Sequence, residues 1–135
     1  TIRGNLDNKP SSYEYGININ SDTNVVVKNC NIENVWNGIW ADVMSDSEIL
    51  DNEITDTKTG IGLNINTENN LIKGNKVTNS EYGIDLRGAG TTTIENNIIQ
   101  NNENGVQCYT IATHSFSSNT ITGNTQDCDY CTGCS

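Results

Sequence analysis

The stretch YGINI at residues 15–19 returns four more times along the chain, and this recurrence decides the fold. The later copies are NGIWA at 37–41, TGIGL at 59–63, YGIDL at 82–86 and NGVQC at 104–108. The glycines of successive copies are 22, 22, 23 and 22 residues apart. They are Gly16, Gly38, Gly60, Gly83 and Gly105. A fixed period of this length indicates a solenoid, in which each repeat forms one coil.

A second segment repeats in step with the first and supplies two apolar columns and one polar column. The first apolar column is Val27, Ile49, Ile72, Ile94 and Phe116, and the second is Ile32, Ile54, Val77, Ile99 and Ile121. The polar column between them is Asn5, Cys30, Asn52, Asn75, Asn97 and Asn119. Apolar residues at alternate positions in short β-branched runs, broken by Gly, Asn and Asp, are typical of strands and turns.

We therefore predict an all-β chain that folds into a parallel solenoid of about six coils of 22–23 residues. Its Ile/Val columns and its Asn column form ladders that run from coil to coil. The glycine column marks a corner that requires either positive φ or a close approach of two backbones. A leucine-rich repeat of similar length is the rival, but it needs Leu at most apolar positions, and this chain has only five Leu.

The NGIxL…I..N.I coils resemble the right-handed parallel β-helix repeats of the pectin-lyase-like superfamily. Among these, they are most similar to the short repeats of NosD-like and carbohydrate-binding/sugar-hydrolase (CASH) domains. The resemblance extends over roughly residues 13–124 and implies the fold. It leaves function open, because such coils serve in lyases, hydrolases, epimerases, adhesins and scaffolds. The lyases and hydrolases use a long groove with clustered acids, often calcium, and an Arg or Lys base.

The solenoid divides the chain into a long repeat region and a short end. We assign residues 1–127 to the β-helix, with coils in step from Gly16 and a partial first coil at 1–12. Residues 128–135 form a cysteine-rich C-terminal cap.

The first five residues resemble part of a later coil. TIRGN at 1–5 matches TIENN at 93–97, which places Ile2 and Asn5 in an apolar column and in the Asn column. The chain would then begin within a coil. Either it is a piece of a longer solenoid, or a second copy stacks on that end, and head-to-tail stacking of this kind can build a filament.

Four of the five cysteines lie in the last two coils. A shift of one coil brings Cys131 to roughly 6 Å from Cys108, which suits a disulfide. We predict the pairs Cys108–Cys131 and Cys128–Cys134 as a plug for the last coil. Cys30 is roughly 19 Å from Cys108 at this coil spacing and is expected to be a buried thiol in the Asn ladder. A four-cysteine metal site and intermolecular thiols are the alternatives.

Composition limits the partners and the compartment. There are 17 Asp and Glu against 7 Lys and Arg, so we expect no nucleic-acid binding, which depends on basic charge. No stretch reaches the roughly 18 apolar residues of a membrane span. Five cysteines in a chain of 135 residues favour a secreted or cell-surface protein in an oxidising compartment.

The stretch WNGIW provides the best candidate for binding. With Ile39 inward, Trp36, Gly38 and Trp40 share the outer face of one strand. Two exposed indoles separated by glycine form a flat apolar platform of the kind that sugar rings and protein partners use. The alternative is that a neighbouring chain, or the N-terminal loop with Tyr13 and Tyr15, covers them.

Few residues suggest catalysis, and we predict no catalytic residue and no resident cofactor or metal. Asp85 and Arg87 read as a solvated surface ion pair, since no second acid accompanies them for acid–base work. His114 is expected to be exposed and inert. A run of acids could hold Ca²⁺ at turns, although scattered surface charge explains it as well. These acids are Asp42, Asp46, Glu48, Asp51, Glu53 and Asp56.

Together these features indicate a non-enzymatic, extracellular structural β-helix that forms part of a surface or a filament by head-to-tail self-association. The second hypothesis is a module that binds neutral glycans through Trp36 and Trp40. The third is a fragment of a polysaccharide lyase or hydrolase whose catalytic coils lie outside this chain.

Overall fold

A computed structural model describes residues 1–4, 14–88, 90–109 and 113–134. Every regular element within these residues is a strand, so they contain no helix that could cross a membrane. The strands are β1 (Ile2–Arg3), β2 (Tyr15–Thr23), β3 (Val26–Lys28), β4 (Asn31–Glu33), β5 (Asn37–Ser45), β6 (Glu48–Leu50), β7 (Glu53–Thr55), β8 (Thr59–Leu63), β9 (Thr67–Glu68), β10 (Asn70–Lys73), β11 (Lys76–Thr78), β12 (Tyr82–Leu86), β13 (Thr92–Glu95), β14 (Ile98–Gln100), β15 (Asn104–Cys108), β16 (Ser115–Ser117), β17 (Thr120–Thr122) and β18 (Gln126–Asp129).

These strands form three parallel sheets along one axis, and the chain visits the sheets in turn. The first sheet has the order β1-β4-β7-β11-β14-β17, the second β3-β6-β10-β13-β16, and the third β2-β5-β8-β12-β15-β18, with β9 paired to β5. The result is the predicted right-handed parallel β-helix. It has about five turns rather than six, because residues 1–4 supply only the two-residue strand β1.

The inward side chains stack in columns that make up the core. Ile49 lies between Val27 and Ile72 in the second sheet, and Ile54 lies between Ile32 and Val77 in the first. Most of these side chains are fully buried, and each contributes about 1.5–3 kcal/mol through the hydrophobic effect. Both predicted apolar columns are therefore confirmed.

The two corners that flank the first sheet have, in every full coil, a residue with a left-handed backbone, usually Asn or Asp. Between the second and first sheets these residues are Asn29, Asp51, Gly74, Asn96 and Ser118. After the first sheet they are Asn34, Asp56, Asn79, Asn101 and Gly123. Short polar side chains tolerate this conformation because they form local hydrogen bonds to the backbone. The abundance of Asn in the chain follows in part from these corners.

The residue after the left-handed position between the second and first sheets points inward and joins a ladder. Asn75 is typical: its Nδ2 donates to Ile49 O at 2.9 Å and to Asn97 Oδ1 at 3.1 Å. Its own Oδ1 accepts from the backbone N and Nδ2 of Asn52, at 3.0 and 2.9 Å. The predicted Asn ladder is confirmed from Cys30, which donates its backbone N–H to Asn52 Oδ1, through Asn119. Asn5 lies outside the described residues.

A second ladder, which the sequence pattern does not reveal, runs along the next corner. Its members are Thr57, Ser80, Asn102 and Asn124. Asn102 Nδ2 donates to Val77 O at 3.2 Å and to Asn124 Oδ1 at 3.0 Å. Because Thr and Ser replace Asn in two coils, no single residue type marks this column.

The glycine column reflects close approach of neighbouring coils. None of its members has positive φ. A Cβ on Gly38 would lie 2.5 Å from Gly60 O, and one on Gly83 would lie 2.5 Å from Gly105 O. Any side chain at these positions would therefore force two backbones apart.

The N-terminal register differs from the prediction. Ile2 pairs with Ile32 rather than with a member of the other apolar column, so the match of TIRGN to TIENN is wrong as a guide to position. Two features are consistent with the observed register. Arg3 forms an ion pair with Glu33, and a Cβ on Gly4 would overlap the carbonyl of Asn34.

Candidate functional site

The two tryptophans lie near the start of β5 and are only half-exposed. Trp36 precedes β5, and the Nζ of Lys58 lies 4.8 Å from its ring centroid. Trp40 is within β5, and its Nε1 donates to Asp42 Oδ1 at 2.9 Å. Gly38 is buried and does not belong to an exposed surface. The flat platform expected from WNGIW is therefore absent in that form, although part of each indole stays accessible.

Trp40 belongs instead to a group that spans several coils on the outer face of the third sheet. We call Trp40, Asp85, Arg87 and Tyr109 the Arg87 cluster. The guanidinium carbon of Arg87 lies 5.3 Å from the ring centroid of Trp40 and 5.9 Å from that of Tyr109. Its Nε donates to Asp85 Oδ2 at 2.7 Å. Cation–π contacts of this geometry are attractive, and more so where water is excluded.

Asp85 is fully buried although it points away from the core. Its neighbour in the adjacent coil is Gly62, and the indole of Trp40 covers the space left by that glycine. The side chain of Asp85 is 0 % exposed, whereas that of Arg87 is 43 % exposed. The prediction of a solvated ion pair is thus wrong for its acidic member, because the aromatic and guanidinium groups exclude water from the carboxylate.

This burial changes the pKa of the Asp85 carboxyl group. Removal from water raises the pKa of Asp85, and the hydrogen bond and charge of Arg87 oppose that rise. Asp85 Oδ1 has no hydrogen-bond partner among the described residues. A buried carboxyl group with one free oxygen is poised to accept a hydrogen bond or to hold a proton.

Polar side chains extend the Arg87 cluster towards the last coil. Tyr109 Oη donates to Gln107 Oε1 at 3.0 Å, and Gln107 Nε2 donates to Asp129 Oδ2 at 3.0 Å. Tyr109 is 53 % exposed. The face therefore combines accessible aromatic rings with amide and carboxylate groups, which is a chemistry suited to hydroxylated ligands.

The acidic stretch is held by hydrogen bonds within the protein. Asp42 Oδ1 accepts from Trp40 Nε1 and from Asn64 Nδ2, both at 2.9 Å. Asp46 Oδ1 accepts from Asn69 Nδ2. In the part of the chain that the structure describes, no three His, Cys, Asp or Glu side chains converge as metal ligands. The Ca²⁺ hypothesis gains no support from these contacts.

The cysteine cluster forms two disulfides with the predicted pairing. Cys108–Cys131 has a Cα–Cα distance of 5.2 Å, and Cys128–Cys134 one of 6.1 Å. A four-cysteine metal site is incompatible with this pairing. The proposed cap at 128–135 begins within β18, so its first residues are part of the third sheet.

Two further side chains differ from expectation. Cys30 is a free thiol, but it is half-buried rather than buried, since it occupies the ladder's N-terminal end among the described residues. His114 is buried, with 8 % exposure, and not exposed as predicted. It lies in a corner column that the sequence pattern does not mark.

Comparison with known proteins supports the fold and little beyond it. A family model described as "Right handed beta helix region" matches residues 5–135. No curated protein and no solved structure matches the chain. The family includes both pectate lyase-like enzymes and non-enzymes, and its description does not distinguish the NosD-like and CASH groups. Since the match covers nearly the whole sequence, the chain belongs to the right-handed β-helix family.

Proposed function

We propose that this chain is a non-enzymatic structural module of an extracellular surface or filament, and that it self-associates end to end. The observation that carries the proposal is the pair of hydrogen-bonded ladders that join coil to coil. Asn97, for example, bonds to Asn75 on one side and to Asn119 on the other. Each coil is stabilised chiefly by its neighbours, so a further coil from a second copy would be stabilised in the same way.

The last described coil supports such stacking. β16 and β17 are the final strands of their sheets, and Phe116 and Ile121 on them are only partly buried. Strand edges of this kind pair readily with other strands. Contact between unlike ends leaves a new free end after each addition, which is the geometry of a filament.

The extracellular part of the proposal rests on the disulfides. Four cysteines are paired and Cys30 is free. Stable disulfides persist in oxidising compartments and are rare in the cytosol. Thiol labelling of protein purified without reductant should modify about one cysteine per chain under denaturing conditions. Labelling of all five would remove this support.

Electron microscopy and analytical ultracentrifugation of the native chain test self-association. We expect filaments with an axial repeat near 24 Å, about five coil spacings of 4.8 Å. Ile121→Lys introduces a charge at the stacking end and should disperse them, whereas Thr122→Lys, an outward neighbour in β17, should not. Monomers at every concentration would reject the assembly proposal.

A second candidate function, binding of a neutral glycan, is favoured by the Arg87 cluster. Trp40 and Tyr109 present aromatic surface on one face, next to Gln107 and Asp129. Aromatic surface combined with planar polar groups suits a sugar chain. In a glycan pull-down, Trp40→Ala and Tyr109→Ala should abolish retention. Tyr130→Ala is the matched control, since Tyr130 is 86 % exposed. Unchanged retention of both cluster variants would reject this candidate.

A further inference from the structure

The corner between the third and second sheets carries a third inward column, and its hydrogen bonding stops partway. The column is Val25, Ser47, Asn70, Thr92 and His114. In its first coils the ladder is complete. Ser47 Oγ accepts from Val25 N at 2.9 Å, and Asn70 Oδ1 accepts from Ser47 N at 3.1 Å. Asn70 Nδ2 donates to Met44 O at 2.9 Å.

The last two members of this column lack partners. Thr92 is 0 % exposed and His114 is 8 % exposed. Thr92 Oγ1 and both ring nitrogens of His114 have no hydrogen-bond partner among the described residues. The imidazole contacts Phe116 edge to face, with ring centroids 6.5 Å apart. Burying a neutral imidazole in such an apolar site costs far less free energy than burying an imidazolium. Both N–H groups of an imidazolium need acceptors.

Among the residues that the structure describes, no charged group compensates for protonation at this corner. Burial alone lowers the pKa of His114. β16, which follows His114, has no titratable side chain. The only one in the adjacent strand β13 is Glu95, at the far end of that strand, and Glu95 is paired with Lys73 at 2.7 Å. An imidazolium at this position would be buried without a counter-ion.

The cost of burying a protonated His114 can be relieved by a local opening of the strand that follows it. β16 is the final strand of the second sheet and pairs with β13 alone. Only three residue pairs join the two strands, Thr93–Ser115, Ile94–Phe116 and Glu95–Ser117. Short terminal strands open at low free energy while the rest of a protein stays folded. Separation of β16 from β13 would release His114 to water.

We propose that His114 is an acid-sensitive latch: its protonation detaches β16 from β13, while the earlier coils stay intact. The transition is reversible, because it forms and breaks no covalent bond. This inference concerns a chain whose β16 edge is free, and it does not require either proposed function.

Amide hydrogen exchange followed by NMR or mass spectrometry at pH 7.5 and pH 5.0 tests the latch. After correction for the intrinsic effect of pH, the β16 amides should exchange about tenfold faster at pH 5.0, because the strand opens more often. Amides of β6 and β10, in the same sheet but away from its end, should keep their protection. Equal β16 protection at both pH values overturns the proposal.

Two variants separate the latch from general acid destabilisation. His114→Gln cannot be protonated and should retain β16 protection at pH 5.0. Thr92→Val removes the neighbouring unpaired hydroxyl and should leave the pH response of wild type unchanged. Loss of β16 protection in His114→Gln at pH 5.0 would contradict the proposal. If that variant does not fold, an NMR titration of His114 in the wild type decides: a pKa below 6.5 supports the latch, and one at or above it refutes the latch.

Discussion

The indole of Trp40 occupies the space that Gly62, its lateral neighbour in the next coil, leaves by having no side chain. A Cβ at Gly62 would overlap Cε3 and Cζ3 of the indole ring. This contact lets Trp40 reach across one coil to Arg87. Asp85, beyond Gly62 in the same lateral row, is covered as a result. One glycine thus decides that a carboxylate on the outer face is buried.

Gly62→Ala should therefore destabilise the protein by about 1–3 kcal/mol, the usual cost of overpacking. The indole must move, because the overlap involves its rigid ring. Urea denaturation measures the free energy of unfolding. In a Trp40→Ala background the same substitution should cost much less, since the clashing ring is gone, and a double-mutant cycle isolates that difference. An equal cost in both backgrounds would mean that the contact has no such role.

The fold can be predicted from the sequence because parallel stacking brings equivalent residues of every coil together. A residue such as Ile72 must match Ile49 and Ile94 in size and polarity, so the period appears directly in the sequence. The N-terminal register could not be predicted in this way. Five residues fit more than one column, and the pairing of Arg3 with Glu33 is a contact between side chains rather than a repeat.

The candidate site was less predictable for a related reason. Alternation along a strand gives the direction of a side chain but not its exposure. Asp85 points outward as the pattern indicates, yet its burial depends on Trp40, two coils away, and on Arg87. The burial of His114 depends on a corner column whose residue types change in every coil. The only signal for that column is a spacing of 22 or 23 residues from Val25 onward.

Asn75→Ala should destabilise the solenoid by about 2 kcal/mol or more. The substitution removes the acceptor of two bonds from Asn52 and the donor to Ile49 O. Leaving a buried polar group unpaired costs about 1–3 kcal/mol. Asn31→Ala is the matched control, because Asn31 is an exposed residue of β4, and it should change stability by less than about 0.5 kcal/mol. Urea denaturation of the two variants should rank them in this order.

Removing the two disulfides should have unequal effects. The Cys108–Cys131 bond spans 23 residues of sequence and the Cys128–Cys134 bond spans 6. Loop-closure entropy predicts losses of about 3.4 and 2.4 kcal/mol for the paired Cys→Ser variants. Thermal unfolding without reductant should thus show the lower Tm for the Cys108→Ser/Cys131→Ser protein. The reverse order would mean that contacts in the last turn outweigh chain entropy.

Asp85→Asn should remove one component of the pH dependence of stability. Burial raises the pKa of Asp85 in the folded protein above its ordinary value of 3.8. The folded state therefore binds this proton more tightly than the unfolded state does. Protonated Asp85 therefore adds to the free energy of unfolding. This contribution is fully present below pH 3.8 and is lost as the pH rises through the raised pKa.

Free energies of unfolding measured in urea from pH 3.5 to 7 test this sign. Relative to Asp85→Asn, the wild type should lose stability as the pH rises through that window and then level off. Arg87→Gln should extend the loss to higher pH, because Arg87 stabilises the charged carboxylate. In the double variant the effect of Arg87→Gln on the pH profile should vanish. A wild-type profile parallel to that of Asp85→Asn throughout would show that the carboxyl group ionises as easily in the folded protein as in the unfolded chain.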